Sequence, residues 1–222
     1  PDTQLHRLAN NQNKKSKIRT TLKRFCYFCN SIESIQKEYM EQLSHIFSIG
    51  HGSKDIKELI LELQSFDIEF LVDIRSKPYS KFYTHFNQGF LKYSVEEYHI
   101  KYGYMGDLLG GLPLDRTCYT DGKVDYNKLK NKEFFIEGLK RLQNANSKGF
   151  NVCILCSESN PKECHRAKLI GVELQKMGIE LRHIIGIEKE KTQNQVIFEL
   201  TNGDGLNTIF GEEHFTSRKK YI

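Results

Sequence analysis

Between Cys156 and Arg166 the chain holds two thiols, the Glu158 carboxylate, the His165 imidazole and the Arg166 guanidinium. These residue types can do thiol chemistry. A thiol beside cationic groups, or at the first turn of a helix, has a lowered pKa and is more often thiolate, hence nucleophilic. Cys156 or Cys164 then supplies the nucleophile, and His165 or His51 the base. Glu158 or Asp73 moves protons or orients a neighbour. Arg166 offers a planar fork for an anion. The competing structural reading is a packed Cys156, with Cys164 and Arg166 serving only a helix start, because free cysteine is among the most buried residue types. Cys156, Cys164 and His165 together are also soft metal ligands, although neighbouring residues rarely share a tetrahedral ion.

The elements around this stretch predict how it is held. Val152 to Leu155 is an apolar, partly β-branched run that reads as a buried strand. Ser157 to Pro161 reads as an irregular turn. Ala167, Ile170, Leu174 and Met177 recur at helical spacing, Gly178 ends that helix, and Ile179 to Ile185 is the next strand. A strand, a polar turn and a helix start make up an anion-binding arrangement.

Upstream, Ile46 to Ile49 is a short strand running into Gly50-His51-Gly52-Ser53. Gly50 lets backbone approach a ligand closely, and Ser53 is expected to cap a helix carrying Ile56, Leu59, Ile60 and Leu63. Phe70 to Arg75 is a second strand that brings Asp73 and Arg75 to its carboxyl end, as a structural pair or as site residues. An aromatic-rich segment follows, with Tyr79, Phe82, Tyr83, Phe86 and Phe90, suited to a flat ligand or to sealing the core. Gln88 to Lys101 has mixed helical character and Tyr102 to Met105 is a short strand. Residues 106 to 113 are a loop over the site, 114 to 132 an insertion-like loop, and 132 to 147 a helix closed by Gly149. Gln195 to Leu200 resembles a strand, Asn202 to Gly205 a turn, and the remainder is a polar extension.

Strands alternating with helices imply a mostly parallel sheet with helices on both faces. The expected fold is therefore α/β, a Rossmann-like three-layer domain with about five strands, plus an N-terminal helical appendage. In that topology the Gly50-His51, Asp73-Arg75 and Cys156-Glu158 ends gather at one edge of the sheet, where such folds bind ligands. The predicted division is an N-terminal extension over 1–44 and the α/β domain over 45–222, its core at 46–185 and a C-terminal extension at 186–222.

Composition sets the surroundings. The 222 residues carry a formal charge of +5, and the pI near 8.8 suits anionic ligands more than a dedicated nucleic-acid domain. No apolar run approaches the ~20 residues of a membrane helix, and no signal-peptide pattern precedes the domain. The six cysteines lack the setting of a secreted disulfide scaffold, so a reducing, cytoplasmic location and free thiols are expected. Asn10 to Lys17 reads as a basic solvated arm, in which Lys14, Lys15 and Lys17 are able to touch DNA or RNA phosphates. Cys26-Tyr27-Phe28-Cys29 is half of a zinc site, with no second pair at matching spacing, and two packed thiols are the simpler reading. A helix is expected over 31–43. No cofactor is expected.

Several of these motifs, in this order, resemble domain-of-unknown-function family 488. They are Ser48-Ile49-Gly50-His51 with Ser53, Val72-Asp73-Ile74-Arg75 with Pro78, Phe86-Asn87, Leu109-Gly110-Gly111, Cys156-Ser157-Glu158 with Pro161, and Cys164-His165-Arg166. The resemblance spans about 46–185 and implies a Rossmann-like α/β domain with a shared polar cleft, adding Asn87, Gly110 and Gly111 to its lining; it implies no particular activity. A fainter likeness to rhodanese-type sulfurtransferases rests on Leu71 to Arg75 and on the strand, loop, Arg166 and helix after Val152. The functional expectation is an enzyme, a transferase or hydrolase, binding a phosphate-bearing or nucleotide-like small molecule at the Cys/His/Arg cleft. The alternatives are a nucleic-acid-associated module and a sulfurtransferase-like thiol enzyme.

Overall fold

β1 (Ile46–Gly50) and β6 (Val152–Cys156) are buried at every position. Both are almost wholly apolar, as strands covered on both faces must be. In the computed structural model, which describes residues 44–208, 211–212 and 215–222, they pair in parallel, Ile46 against Val152 through Gly50 against Cys156. β2 (Phe70–Asp73) takes the other side of β6, and β3 (Lys101–Tyr104) flanks β2. β7 (Arg182–Gly186) lies parallel to β1, and β8 (Lys189–Thr192) runs antiparallel at the edge. The sheet has six strands in the order β3-β2-β6-β1-β7-β8, one more than the pattern predicts. The added strand is β8, Lys-Glu-Lys-Thr, a polar edge strand without an apolar signature.

The period-2 alternation of strand side chains sorts the core into two layers. Phe47, Ile49, Leu71, Cys153 and Leu155 pack with Leu59, Ile60 and Leu63 of α1 (Ile56–Gln64) and with Leu91 and Val95 of α2 (Gln88–Glu96). Ile46, Val152, Ile154 and Cys156 face the opposite layer. There they meet Leu109 of α3 (Gly106–Leu109), Leu129 of α4 (Tyr126–Leu129), Phe135, Leu139 and Leu142 of α5 (Glu133–Ser147), and Leu174 of α6 (Val172–Lys176). The helix after β1 thus covers one face and the helix after β6 the other. The sheet switches winding direction between these two strands, and a crevice opens beyond their carboxyl ends.

Several local expectations are corrected. α1 is capped by Asp55, whose side chain accepts from the Glu58 amide at 2.8 Å, and Ser53 is exposed in the preceding turn. The aspartate competes successfully because it sits immediately before the first helical residue. Gln195 to Leu200 belongs to a helix, α7 (Gln193–Leu200), started by a reciprocal capping box between Thr192 and Gln195. The supposed insertion loop contains an antiparallel hairpin of β4 (Tyr119–Thr120) and β5 (Lys123–Val124), followed by α4. Its turn is Asp121-Gly122, both at positive φ, the pairing that a tight hairpin favours. The helix after Cys164 opens as a π turn, Arg166–Gly171, and becomes α-helical only at Val172.

The chain divides into two units, Pro1–Leu43 and Ser44–Ile222. The basic arm, the Cys26/Cys29 pair and the helix expected over 31–43 lie outside the described residues. Among the described residues, no helix is long and apolar enough to cross a membrane.

Candidate functional site

The register that places Gly50 beside Cys156 continues past the strand ends. His51 N donates to Cys156 O at 3.1 Å and Gly52 N to Ser157 O at 3.0 Å. Gly50 is required here: an added Cβ would lie 1.9 Å from Glu158 O. The chain then makes a 3-10 turn, Pro161–Glu163, capped by Asn160 and started by Pro161, which returns Cys164 and His165 to Cys156. The Cys156 and Cys164 sulfurs and a His165 ring nitrogen all lie within 4.8 Å of one another. All three residues are buried.

His165 is held by one strong contact, Nε2 to Leu109 O at 3.0 Å. A carbonyl only accepts, so Nε2 carries a proton, and Nδ1 faces both sulfurs, 3.6 Å from Cys164 and 3.9 Å from Cys156. The ring lies directly over Gly111, where a Cβ would stand 2.8 Å from Nδ1. Gly110 is likewise hemmed in by Gly106 O and Ser76 Oγ. These two glycines shape the wall of the site.

The thiols are unequal. Burial pushes the Cys164 thiol up, but a hydrogen bond from Cys156 together with the charge and amide of Arg166 outweigh it and bring it down to about 6. Cys156 is held well above the ordinary thiol range by that same hydrogen bond and by burial. The pair shares one proton, with the negative charge on Cys164.

Arg166 serves the site from beneath. It is buried, donates to the carbonyls of Glu158 and Ser159, and leaves Nε without a partner. It clamps the 157–159 turn and does not line the cleft. Asp73 and Arg75 form a bidentate pair, Arg75 Nε to Oδ1 at 2.8 Å and Nη2 to Oδ2 at 2.6 Å. Tyr102 Oη also donates to Asp73, and Arg75 reaches Phe86 O. So occupied, Asp73 is an anchor for Arg75, which does line the cleft. His51 donates from Nδ1 to Gly52 O and stacks on Phe86 at 4.3 Å. Burial and then Arg75 lower its pKa to about 4. Asn87 accepts from the Ser80 amide at 2.6 Å and organises a loop rather than the site. Ser53 also stays outside the cleft lining.

The cleft itself encloses about 190 Å³. It is lined by Cys156, Cys164, His165 and Gly111, by Arg75, Lys77, Glu158 and Glu163, and by Tyr126, Ser217, Arg218 and Tyr221. The last four escape sequence reasoning. Tyr126 sits in the polar stretch read as a loop, and the 215–222 segment carries no periodic signal. That segment is tied to the hairpin by Ser217 N to Val124 O at 3.0 Å and Tyr221 N to Gly122 O at 2.7 Å. Arg218 bridges Glu158, at 3.5 Å, and Glu163.

Residues 55–172, just over half of the chain, match the family model described as domain of unknown function DUF488. No curated protein and no solved structure matches the chain.

Proposed function

The chain belongs to the DUF488 family, whose description names no reaction, and on that premise we propose from the site itself that this protein is a thiol-dependent enzyme acting on a small phosphate-bearing or nucleotide-like molecule. The observation that carries the reading is the Cys164 sulfur, paired with the Cys156 thiol and His165 Nδ1, at the wall of a cleft that also holds Arg75, Lys77 and Arg218. Lys77 suits an anionic substrate group, which would compete with Glu158 and Glu163 for Arg218. The Cys164 thiolate forms a bond to the electrophilic centre, and the departing group takes the proton from Cys156. A water or second acceptor, deprotonated by His165 Nδ1, then attacks that centre and breaks its bond to Cys164, which releases the product and restores the thiolate, and His165 passes the proton on to Cys156. Two supporting features are the π turn behind Cys164, a form that recurs at functional sites, and the switch point at which the cleft opens.

The test is thermal unfolding against nucleotides, phosphosugars and sulfur donors. A ligand at 100 times its Kd raises stability by about 2.7 kcal/mol. A shift with one anionic class, reduced by Arg218→Ala and retained in Cys164→Ser, together with loss of turnover in Cys164→Ser, supports the reading. Normal turnover by both Cys156→Ser and Cys164→Ser sinks it.

A second reading is favoured by one specific observation. His165 is anchored through Nε2 to a backbone carbonyl, as metal-binding histidines commonly are. A tetrahedral zinc sets a thiolate sulfur and an imidazole nitrogen about 3.5 Å apart, near the 3.6 Å from Nδ1 to Cys164 and shorter than the 3.9 Å to Cys156. Cys156, Cys164 and His165 would hold the ion, which would supply a Lewis acid or an activated water beside the cleft. Stoichiometric zinc in protein purified without added metal, lost in His165→Ala, replaces the thiol mechanism with this one.

A further inference from the structure

The chain from Arg75 to Val95 contains no carboxylate, yet carries Arg75, Lys77, Lys81 and Lys92 interleaved with Tyr79, Phe82, Tyr83, Phe86, Phe90 and Tyr93. Only one of the six rings is buried: Phe86 fills the core and stacks on His51. Phe82 is 87% exposed, Tyr79 72%, and Phe90 and Tyr93 67% each. The loop that presents them is well tied. Arg75 holds Phe86 O at 2.8 Å, Asn87 holds the Ser80 amide, Ser80 Oγ accepts from the Tyr83 amide at 3.0 Å, and Gln88 N bonds Pro78 O at 3.0 Å. His85 reaches Lys54 O at 3.1 Å. Tyr83 meets His51 and His85 edge-on, whereas no ring contact inside the protein is formed by Tyr79, Phe82 or Phe90 among the described residues. Phe90 and Tyr93, three residues apart on α2, share its outer side while Leu91 and Val95 face the core. Lys77, Lys81 and Lys92 make no ion pair among the described residues.

We infer that the 77–87 loop and the outer side of α2 form a stacking platform for single-stranded nucleic acid. Aromatic faces accept any base, and interleaved lysines follow the phosphates. From Arg75 to Val95 every ring has a cation near it in sequence, which distinguishes this surface from a patch that binds by apolar contact alone; the platform stops at the end of α2, where Glu96 is exposed and Glu97 bonds Tyr93. Lys77 both begins the platform and lines the cleft, so a bound strand leads toward the sulfur cluster. The platform does not depend on the thiol reading of that cluster.

The experiment is fluorescence anisotropy of labelled 12-nucleotide oligo(dT) and oligo(U) with the full chain, at several salt concentrations. Binding is expected at low salt. The double variant Phe82→Ala/Phe90→Ala should weaken it at least tenfold. Lys81→Gln/Lys92→Gln should flatten the logarithmic salt slope by about 1.4. Both pairs lie at exposed positions, so unchanged unfolding temperatures will show that the fold is kept. Cys164→Ser should bind like wild type, which separates this inference from the catalytic one. No binding of either oligonucleotide at low salt overturns it. So does binding that survives the aromatic variants, which would place the strand elsewhere on the chain. A preference between the two oligonucleotides would identify DNA or RNA as the partner.

Discussion

At the scale of single residues, the site rests on which atoms carry protons. Site-resolved alkylation of Cys164 by iodoacetamide should rise with a midpoint near pH 6, since its thiol is lowered to about 6. In Cys156→Ala the donated hydrogen bond is gone, burial dominates, and the midpoint should climb toward or above the ordinary thiol value of ~8.5. An unchanged midpoint would remove the shared-proton account. Gly111→Ala tests the other arm. Its methyl would meet Nδ1 of His165 at 2.8 Å, so the ring must turn and withdraw Nδ1 from the sulfurs. We expect loss of turnover with little change in unfolding temperature; full activity would show that the ring is not held as described. The cysteines and His165 were legible in the sequence because their types are rare and closely spaced. The role of Arg166 was not. A guanidinium beside a thiol reads as an anion fork, and only the fold reveals that backbone carbonyls of the 158–159 turn take its donors.

At the scale of elements, the sheet edge beside the site depends on a buried polar chain. His183 on β7 bonds Ser48 of β1 at 2.6 Å and Gln193 of α7 at 2.8 Å, and Gln193 also donates to Ala167 O at 2.9 Å. Gln193→Leu strands a buried imidazole N–H and a buried carbonyl. At about 1 to 3 kcal/mol for each of the two unsatisfied groups, urea denaturation should show a loss of about 2 to 6 kcal/mol. A loss below ~0.5 kcal/mol would mean that water replaces the side chain freely. The central strands were legible because buried parallel strands are continuous apolar runs. β8 and the β4–β5 hairpin were obscured because edge and two-residue strands have polar, short sequences. α7 was misread although Thr192-Gln193-Asn194-Gln195 spells its capping box; the β-branched Val196 and Ile197 weighed more than the cap.

At the scale of the whole molecule, two buried histidines make the fold acid-sensitive. Burial first, and then Arg75, lowers His51 to about 4; burial lowers His183 to about 3. In the unfolded chain both take up protons near ~6.5. Below that pH the unfolded state binds more protons, so stability is intact above it and declines as pH falls through about 4 for His51 and about 3 for His183. Each unit of that window removes roughly 1.4 kcal/mol per histidine. Unfolding temperature should therefore drop between pH 6.5 and 4.5, and His183→Gln should blunt the drop. A flat profile would contradict the burial of both rings.

The partition of the cleft between two parts of the chain has its own consequence. Cys156, Cys164, His165 and the residues that hold the imidazole lie within residues 55–172, the span that carries the family identity. Ser217, Arg218 and Tyr221, which also line the cleft, lie outside it. On the proposed enzymatic reading, chemistry and selectivity would then be written in separable passages of sequence. Swapping the 215–222 segment between chains that share the first passage should change which ligand is taken while leaving the sulfur cluster untouched.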